Sequence, residues 1–461
     1  MLKPTLVTFT AIALTLSSAF PAQAASKVRL SPESIRTRLV EGDTSVLASL
    51  NQIYQAKEEV RKARGNLLPG LGLSVTAGGR PNFALSAVNV LLPFLLPSNW
   101  HALEASKHQL AANGYAYHLV ALNDYAAALS LYTQVMGDVA LRSVYRKQYE
   151  NLKSVEEIVE DQVVLGTATR ADLAQARAQV QLAQVQISQV DELIAREKSS
   201  IRRMLGLSLE TELEMTTNHF PRIDEEKLSP RKLYDRIHDT SPEQRQIESL
   251  LEAAKSAKFT TVWGFMSGAS MNVSTNFGGS ASFGNLTQTA SVNLGFGLFP
   301  AIQISNLNIA ALKIRRTEIS LEQASVIESA LASVAEAREQ VSYASQARDN
   351  YDIAFNAELD KFRIGQTDLL NVFVVSNNAT AASASYVRSL ADLDTQRVTL
   401  NRVLLRDQFA KIPTCRLGGA EKSGGIFGFL KGIFGSKKKR YASIDDMCRP
   451  NARAADAAAG R

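Results

Sequence analysis

Two hydrophobic rhythms run along the chain, and each occurs twice. From Leu173 onward, apolar residues fall at Leu173, Ala176, Val180, Ala183, Ile187, Val190 and Ile194, in alternating steps of three and four. That 3.5-residue period predicts a helix with a left-handed supercoiling seam toward its neighbours. Small Ala alternates with larger residues, which permits close packing. Much of the remaining surface is polar but uncharged, as at Gln175, Gln179, Gln181, Gln184, Gln186 and Gln189. Further along, Val372, Val375, Ala379, Ala382, Tyr386 and Leu393 keep a looser version of the stripe. The stretches before these helices are longer. Ser98 to Val163 contains no proline and two glycines, Gly114 and Gly137; Ala301 to Arg363 contains neither. A helix over the first stretch spans about 100 Å, far beyond the ordinary mean of ~11–12 residues. Taken alone, such helices also fit a soluble coiled-coil rod.

The second rhythm has a period of two. Leu71, Leu73, Val75 and Ala77 alternate with Gly72, Ser74 and Thr76. Met271, Val273, Thr275 and Phe277 alternate with Asn272, Ser274 and Asn276, and Val292, Leu294, Phe296 and Leu298 with Ser291, Asn293, Gly295 and Gly297. One face is apolar and the other small or polar, the pattern of strands with lipid outside and water inside. Phe83 to Leu96 is a fourth, more uniformly apolar segment, with Pro93 near its end where strand interiors disfavour it. Gly78-Gly79 and Gly278-Gly279 are the expected hairpin turns. Trp100 and Trp263 are expected at strand ends, where a membrane-interface position and an ordinary one fit equally.

These segments are one plan written twice. Ala77-Gly78-Gly79-Arg80 recurs as Phe277-Gly278-Gly279-Ser280, 200 residues on. Leu96-Pro97 recurs as Phe299-Pro300 after 203, and Leu165-Gly166-Thr167 as Ile364-Gly365-Gln366 after 199. Three matches in order at nearly one offset indicate an internal duplication. Each half reads helix, strand, turn, strand, long helix, turn, helix.

The amino terminus and the composition set the compartment. Lys3, the apolar run Leu6 to Leu16 and the small-x-small Ala22-Gln23-Ala24 predict a secretory leader over residues 1–24. Residue 25 is Ala, so a lipid-modified cysteine is not expected there. No later run reaches 18 uninterrupted apolar residues, which argues against a transmembrane helix. The chain has 51 basic and 45 acidic side chains, a net charge of +6, and part of the excess lies in Lys437-Lys438-Lys439-Arg440. A broad nucleic-acid surface is not implied. The two cysteines, Cys415 and Cys448, exclude a cysteine-ligated zinc core or a disulfide framework. In an oxidising compartment they are a candidate disulfide.

Four strands cannot close a barrel, and open edges cannot face hydrocarbon. If these strands enter a bilayer, several chains must pool them in a symmetric ring. Three chains would give twelve strands, enough for an aqueous lumen. The same ring would gather the long helices into a tube.

Local signatures then carry a resemblance. Ala56-Lys57-Glu58-Glu59-Val60-Arg61-Lys62-Ala63-Arg64 runs into Leu67-Leu68-Pro69; Gly166 is followed six residues later by Asp172-Leu173; Met204-Leu205-Gly206 closes the first coiled-coil pair. In this order within a duplicated chain, over roughly residues 44 to 405, they resemble the TolC-like bacterial outer membrane efflux proteins. The resemblance implies a mainly α fold with a small β part. Duplicated coiled-coil hairpins form a trimeric α-barrel across the periplasm, and four strands per chain contribute to a 12-stranded barrel in the outer membrane. It implies a homotrimer serving as a passive exit duct, for efflux or type I secretion, with a periplasmic adaptor and an inner-membrane transporter as partners. A soluble periplasmic scaffold or adaptor is the alternative. The expected divisions are 25–68 for the N-terminal segment and first helix, 69–97 for the first hairpin and 98–208 for the first long helical pair. An equatorial segment follows over 209–240, then a short helix over 241–258, the second hairpin over 259–299 and the second pair over 300–408. A basic tail, 409–461, is expected to be disordered.

The resemblance places the adaptor contact at the helix-tip turns Leu165, Gly166, Thr167, Ile364, Gly365 and Gln366. Gly suits the left-handed residue that ends a helix there. Asp172 reads either as the acid of a capping box from Thr169 or as a pore residue. Asp368 reads as an N-cap or a pore residue. Some relatives carry carboxylates six and nine residues after the second glycine; Asn371 and Val374 stand there, which puts an acidic constriction of that design in doubt. Asp161 reads either as the residue that replaces it or as a solvated helix residue.

Nothing in the sequence supports catalysis or a cofactor. The five histidines, His101, His108, His118, His219 and His238, lack the i, i+4 spacing of a helical metal pair. There is no phosphate-binding loop and no nucleophile elbow. Within the equatorial region, Ser241-Pro242-Glu243-Gln244 is a helix start. In the tail, Gly424-Gly425-Ile426-Phe427-Gly428-Phe429-Leu430 precedes the basic run. It reads either as a disordered extension or as a contact for anionic membrane or peptidoglycan.

Overall fold

Helix signals in the sequence are realised almost without interruption. The computed structural model describes residues 27–68, 94–216, 219–267, 270–274, 287–291 and 297–414. A short strand β1 (Lys27–Leu30) leads into α1 (Pro32–Gly42) and α2 (Thr44–Gly65), followed by α3 (Pro97–Val164) and α4 (Arg170–Met204). The equatorial stretch holds β2 (Glu212–Met215), a 3-10 turn (Asp224–Lys227) and α5 (Pro230–Ile237). The second half follows with α6 (Pro242–Ser267), β3 (Ser270–Ser274), β4 (Thr287–Ser291), α7 (Leu298–Arg363), α8 (Leu369–Leu404) and a closing 3-10 turn (Asp407–Lys411).

The caps explain the boundaries. Ser31 and Ser34 form a reciprocal capping box at the start of α1. Asp43 ends α1 and begins α2: its backbone N–H donates to the Leu39 carbonyl, and its carboxylate accepts from the N–H groups of Ser45 and Val46. Pro97 stands at the first turn of α3, where its missing N–H costs nothing. With no proline beyond the first turn, α3 and α7 run 68 and 66 residues.

Packing follows the duplication. Helix α3 pairs with α4 and α7 with α8; α2 lies on α3, α6 lies on both α3 and α7, and α3 also meets α8. The seam read from the sequence is buried at Ala176, Val180, Ala183, Ile187, Val190 and Ile194. In α8, Val372, Ala379, Ala382 and Leu393 are buried, and Tyr386 lies under the Arg348 guanidinium, 4.3 Å from the ring centre. One end of the bundle is held by Leu152, Val155 and Val159 of α3 against Phe355 and Phe362 of α7 and Val372 and Phe373 of α8. The middle is held by Tyr117, Tyr125 and Tyr132 against Ile35, Leu39, Ile53 and Ile412. β1 and β2 pair in parallel, with Lys27–Glu212 and Arg29–Glu214 ion pairs across the strands.

Three sequence expectations differ from the structure. Leu298 opens α7 and is not in a strand; among the described residues a strand runs over Thr287–Ser291, antiparallel to β3 with Ser270 opposite Ser291. Pro300 is tolerated in a first helical turn but would interrupt a ladder, and the Thr-rich strand lacks the apolar alternation used to find it. Trp100 and Trp263 lie within α3 and α6 and not at strand ends. Trp100 donates from Nε1 to the Phe94 carbonyl at 2.8 Å. Helix α6 runs on to Ser267, past the expected end at 258, because its continuation packs on α3; His101 stacks on Phe259 with 5.1 Å between ring centres. The leader, the first hairpin over 71–93, both Gly-Gly turns, residues 292–296 and the tail with Cys415 and Cys448 lie outside the described residues. Among the described residues, no helix is long and apolar enough to cross a membrane.

Candidate functional site

Both long hairpins end in the same turn. At the first, the N–H of Gly166 donates to the Val163 carbonyl at 3.1 Å and that of Thr167 to the Gln162 carbonyl at 2.8 Å. At the second, Gly365 donates to Phe362 at 3.0 Å and Gln366 to Lys361 at 2.8 Å. Both are Schellman motifs, whose C′ residue must be left-handed. Gly166 has φ +76° and Gly365 φ +72°. Neither has any atom within 4 Å of where a Cβ would stand, so backbone conformation alone selects glycine.

The turns present apolar side chains to the outside. Val164 is 82% exposed, Leu165 77% and Ile364 68%. Leu370 and Val374, just past the second turn, are exposed too. The two turns are neighbours, since Val159 and Ala176 beside the first share a core with Phe362, Leu369 and Val372 beside the second. A cluster of exposed aliphatic groups on two rigid turns is suited to docking against another apolar surface.

Polar groups fix the turns. Thr169 and Asp172 form the capping box: the Asp172 N–H donates to Thr169 Oγ1 at 3.2 Å, and the Thr169 N–H to Asp172 Oδ2 at 2.9 Å. The Thr169 hydroxyl, which donates to Asp172 Oδ2 at 2.7 Å, and then the Thr169 N–H hold the Asp172 carboxyl below the usual range. Asp368 accepts from the Asn371 N–H at 2.8 Å and so caps α8. The Thr367 hydroxyl donates to Glu358 of α7, which together with Lys361 holds that carboxyl below its ordinary value. Arg177 of α4 bonds Glu156 and Glu160 of α3 at 3.1 and 3.2 Å, bracing the first hairpin behind its turn. Asp161 is exposed on the last turn of α3; its carbonyl accepts from Leu165. The structure therefore unites Asp172 with Thr169 and Asp368 with Asn371 as caps, and leaves the Asp161 carboxylate facing solvent.

Sequence reasoning missed several features. The Thr367–Glu358 bond joins residues with no motif between them. In the equatorial segment, His219 Nδ1 is 2.8 Å from Asp394 Oδ2, and the same buried carboxylate accepts from the Phe220 N–H at 3.1 Å. That pairing links residues 175 apart, so only the fold reveals it. His101 and His108 lie on α3; no group of three or more His, Cys, Asp or Glu among the described residues is arranged to hold a metal.

No family model matches this sequence, and no curated protein matches it significantly. Solved structures do match. The Campylobacter jejuni CmeC outer membrane channel superposes with a TM-score of 0.65 at 14% identity, over 82% of this chain and 88% of that one. The Vibrio cholerae outer membrane protein VceC gives 0.65 at 13%, over 81% and 95%. The open-state MtrE outer membrane channel of Neisseria gonorrhoeae gives 0.60 at 13%, over 81% and 88%. The chain has the TolC-like outer membrane channel fold. At these identities the likeness is one of backbone architecture. It spans most of this chain and most of the length of each of these proteins.

Proposed function

We propose that the protein is an outer-membrane exit duct, a passive conduit through which an inner-membrane pump and a periplasmic adaptor deliver cargo to the outside, in efflux or type I secretion. Three copies pool their strands into a twelve-stranded barrel and their helices into a tube. The observation that carries this reading is the TolC-like architecture over 81–82% of the chain, shared with two proteins described as outer membrane channels and with an outer membrane protein. Physical chemistry supports it. Among the described residues β3 and β4 pair only with each other, and open edges are not tolerated by lipid. Exposed Leu307, Ile314 and Leu321 recur every seven residues on α7, a coiled-coil seam that one chain leaves uncovered.

In this reading the tip residues Leu165, Gly166, Thr167, Ile364, Gly365 and Gln366 receive the adaptor. Asp161 narrows the tip as its uncommitted carboxylate, while Asp172, Asp368 and Asn371 shape it through their caps. A soluble periplasmic scaffold gives no role to the β3–β4 ribbon. The deciding experiment is reconstitution. The duct, extracted in detergent and added to planar bilayers, gives stepwise conductance and runs as an oligomer before heating. Release into the periplasmic fraction without detergent, with no conductance, would restore the scaffold.

A further inference from the structure

Asp138 of α3 and Glu197 of α4 face each other where three helices converge. Gly137 brings α3 so close to α8 that a Cβ on it would lie 2.7 Å from that of Ala391. One residue on, Asp138 comes within hydrogen-bonding reach of Glu197. Glu197 is 7% exposed. Both its carboxylate oxygens are buried without a hydrogen bond, and so is Asp138 Oδ2.

Three orphaned acceptor oxygens in one place call for a donor. The charged groups around them do not supply it. Arg142 of α3 is bonded to Asp191 of α4 at 3.0 Å. Arg196 of α4 is bonded to Glu192 on its own helix. Arg388 of α8 is exposed and acts on Asp138 through its charge. Two carboxylates side by side, Glu197 buried and Asp138 half-buried, resist ionising together. One proton changes this: the protonated carboxyl donates to the ionised one in a short charge-assisted bond.

We propose that Asp138 and Glu197 form a proton-binding site, in which one shared proton fastens α3 to α4 at their junction with α8. Arg388 favours the charge on Asp138, so the proton resides on Glu197. Burial, and then the adjacent Asp138 carboxylate, push Glu197 up to about 8, and burial raises Asp138 too. The sign follows from linkage. An unfolded Glu197 loses its proton near the ordinary value of 4.5, whereas the folded chain keeps it to higher pH. Folding stability therefore falls as pH rises between those two values and levels off above the upper one. This site is independent of the duct assignment, because it concerns a helix junction within one chain.

The test uses the full-length protein in detergent, as wild type, Glu197→Gln and Asp138→Asn. Gln keeps a donor and has no proton to lose. Between pH 6 and 9 the wild-type melting temperature is expected to drop by about 3 °C, and that of Glu197→Gln by less than half as much. Infrared spectra at pH 7 should show a protonated carboxylic acid band in the wild type that Glu197→Gln lacks. If Glu197→Gln does not fold, Asp138→Asn serves: removing the like charge should move the titration of that band to lower pH. Parallel pH profiles with no Glu197-dependent acid band would overturn the proposal. So would a rise in wild-type melting temperature on adding calcium chloride at pH 8.5 that Glu197→Gln lacks, since the pair would then be a divalent-cation site.

Discussion

A valine at position 365 isolates what the second tip turn does. The left-handed conformation costs an ordinary L residue roughly 1–2 kcal/mol, and a β-branched side chain fits it worse. Nothing crowds the site, with no atom within 4 Å of a Cβ, so the damage stays in the turn. Gly365→Val should reshape the display of Ile364 and cut both export and co-purification with the adaptor at least several-fold, with oligomer assembly intact. Gly365→Ala should be milder. Unchanged export and co-purification in the valine variant would remove the tip from the functional site. At the first turn, Thr169→Ala deletes the hydroxyl that accepts the Asp172 N–H. Losing such a cap costs on the order of 1 kcal/mol of helix stability, and hydrogen exchange in the first turn of α4 should quicken. The Asp172 end of the box has a defined pH dependence. Its carboxyl is held below 3.8 by Thr169, so its contribution is present at neutral pH and disappears as the pH falls through its folded value. Exchange protection there that does not change on acidification would contradict the capping role.

Where elements meet, backbone proximity sets the limits. A Cβ on Gly42, at the end of α1, would stand 2.5 Å from the Leu205 carbonyl oxygen, and one on Gly206 2.6 Å from the Gly42 carbonyl oxygen. Backbone cannot yield as a flexible side chain does. Gly42→Ala should push α1 off the α4 terminus and destabilise the equatorial region by about 1–3 kcal/mol, read as a lower melting temperature; an unshifted melt would mean that the contact is slack. This is also where the sequence was least legible. The four long helices, the turn glycines 166 and 365 and the seam from Ala176 to Ile194 follow from periodicity and from proline-free length, both local signals. The contact of Gly42 with Gly206 is tertiary, and no spacing announces it. Leu405 shows another limit. It ends α8 with φ +50°, donating to the Arg402 carbonyl while Arg406 donates to that of Asn401. This is the same hydrogen-bond pattern that Gly206 gives α4, 199 residues earlier. A leucine in that role hides the turn from any reading that looks for glycine. The capping box of Thr169 and Asp172 was visible as a motif; the Asp394 bonds to His219 and Phe220 were not, since they cross half the molecule.

If the chain assembles into the proposed duct, the exposed apolar face of α7 is where copies would meet. Leu307, Ile314 and Leu321 stand one heptad apart, each with most of its surface in solvent. Covering an aliphatic side chain of that size yields roughly 1.5–3 kcal/mol, and in the proposed ring of three chains the seam would recur at every interface. Leu182, Val185 and Leu193, exposed on α4, are the apolar surface available on the first hairpin of a neighbouring copy. Ile314→Glu tests this. It deletes the central contact and would bury an unpaired carboxylate, at a cost of several kcal/mol per interface. In the monomer the same side chain faces water, so helix formation is unaffected. The expected outcome is an unchanged circular dichroism spectrum, a monomer by light scattering in detergent and no conductance in planar bilayers. Glu318→Gln, one turn along at the exposed Arg315–Glu318 ion pair, should assemble as the wild type does, because exposed pairs contribute little. Trimers that persist in Ile314→Glu would place the interface on another face of the helices. A wild-type chain that stays monomeric and monodisperse in plain buffer would remove the duct itself, because its hairpins would then have no shared wall to complete.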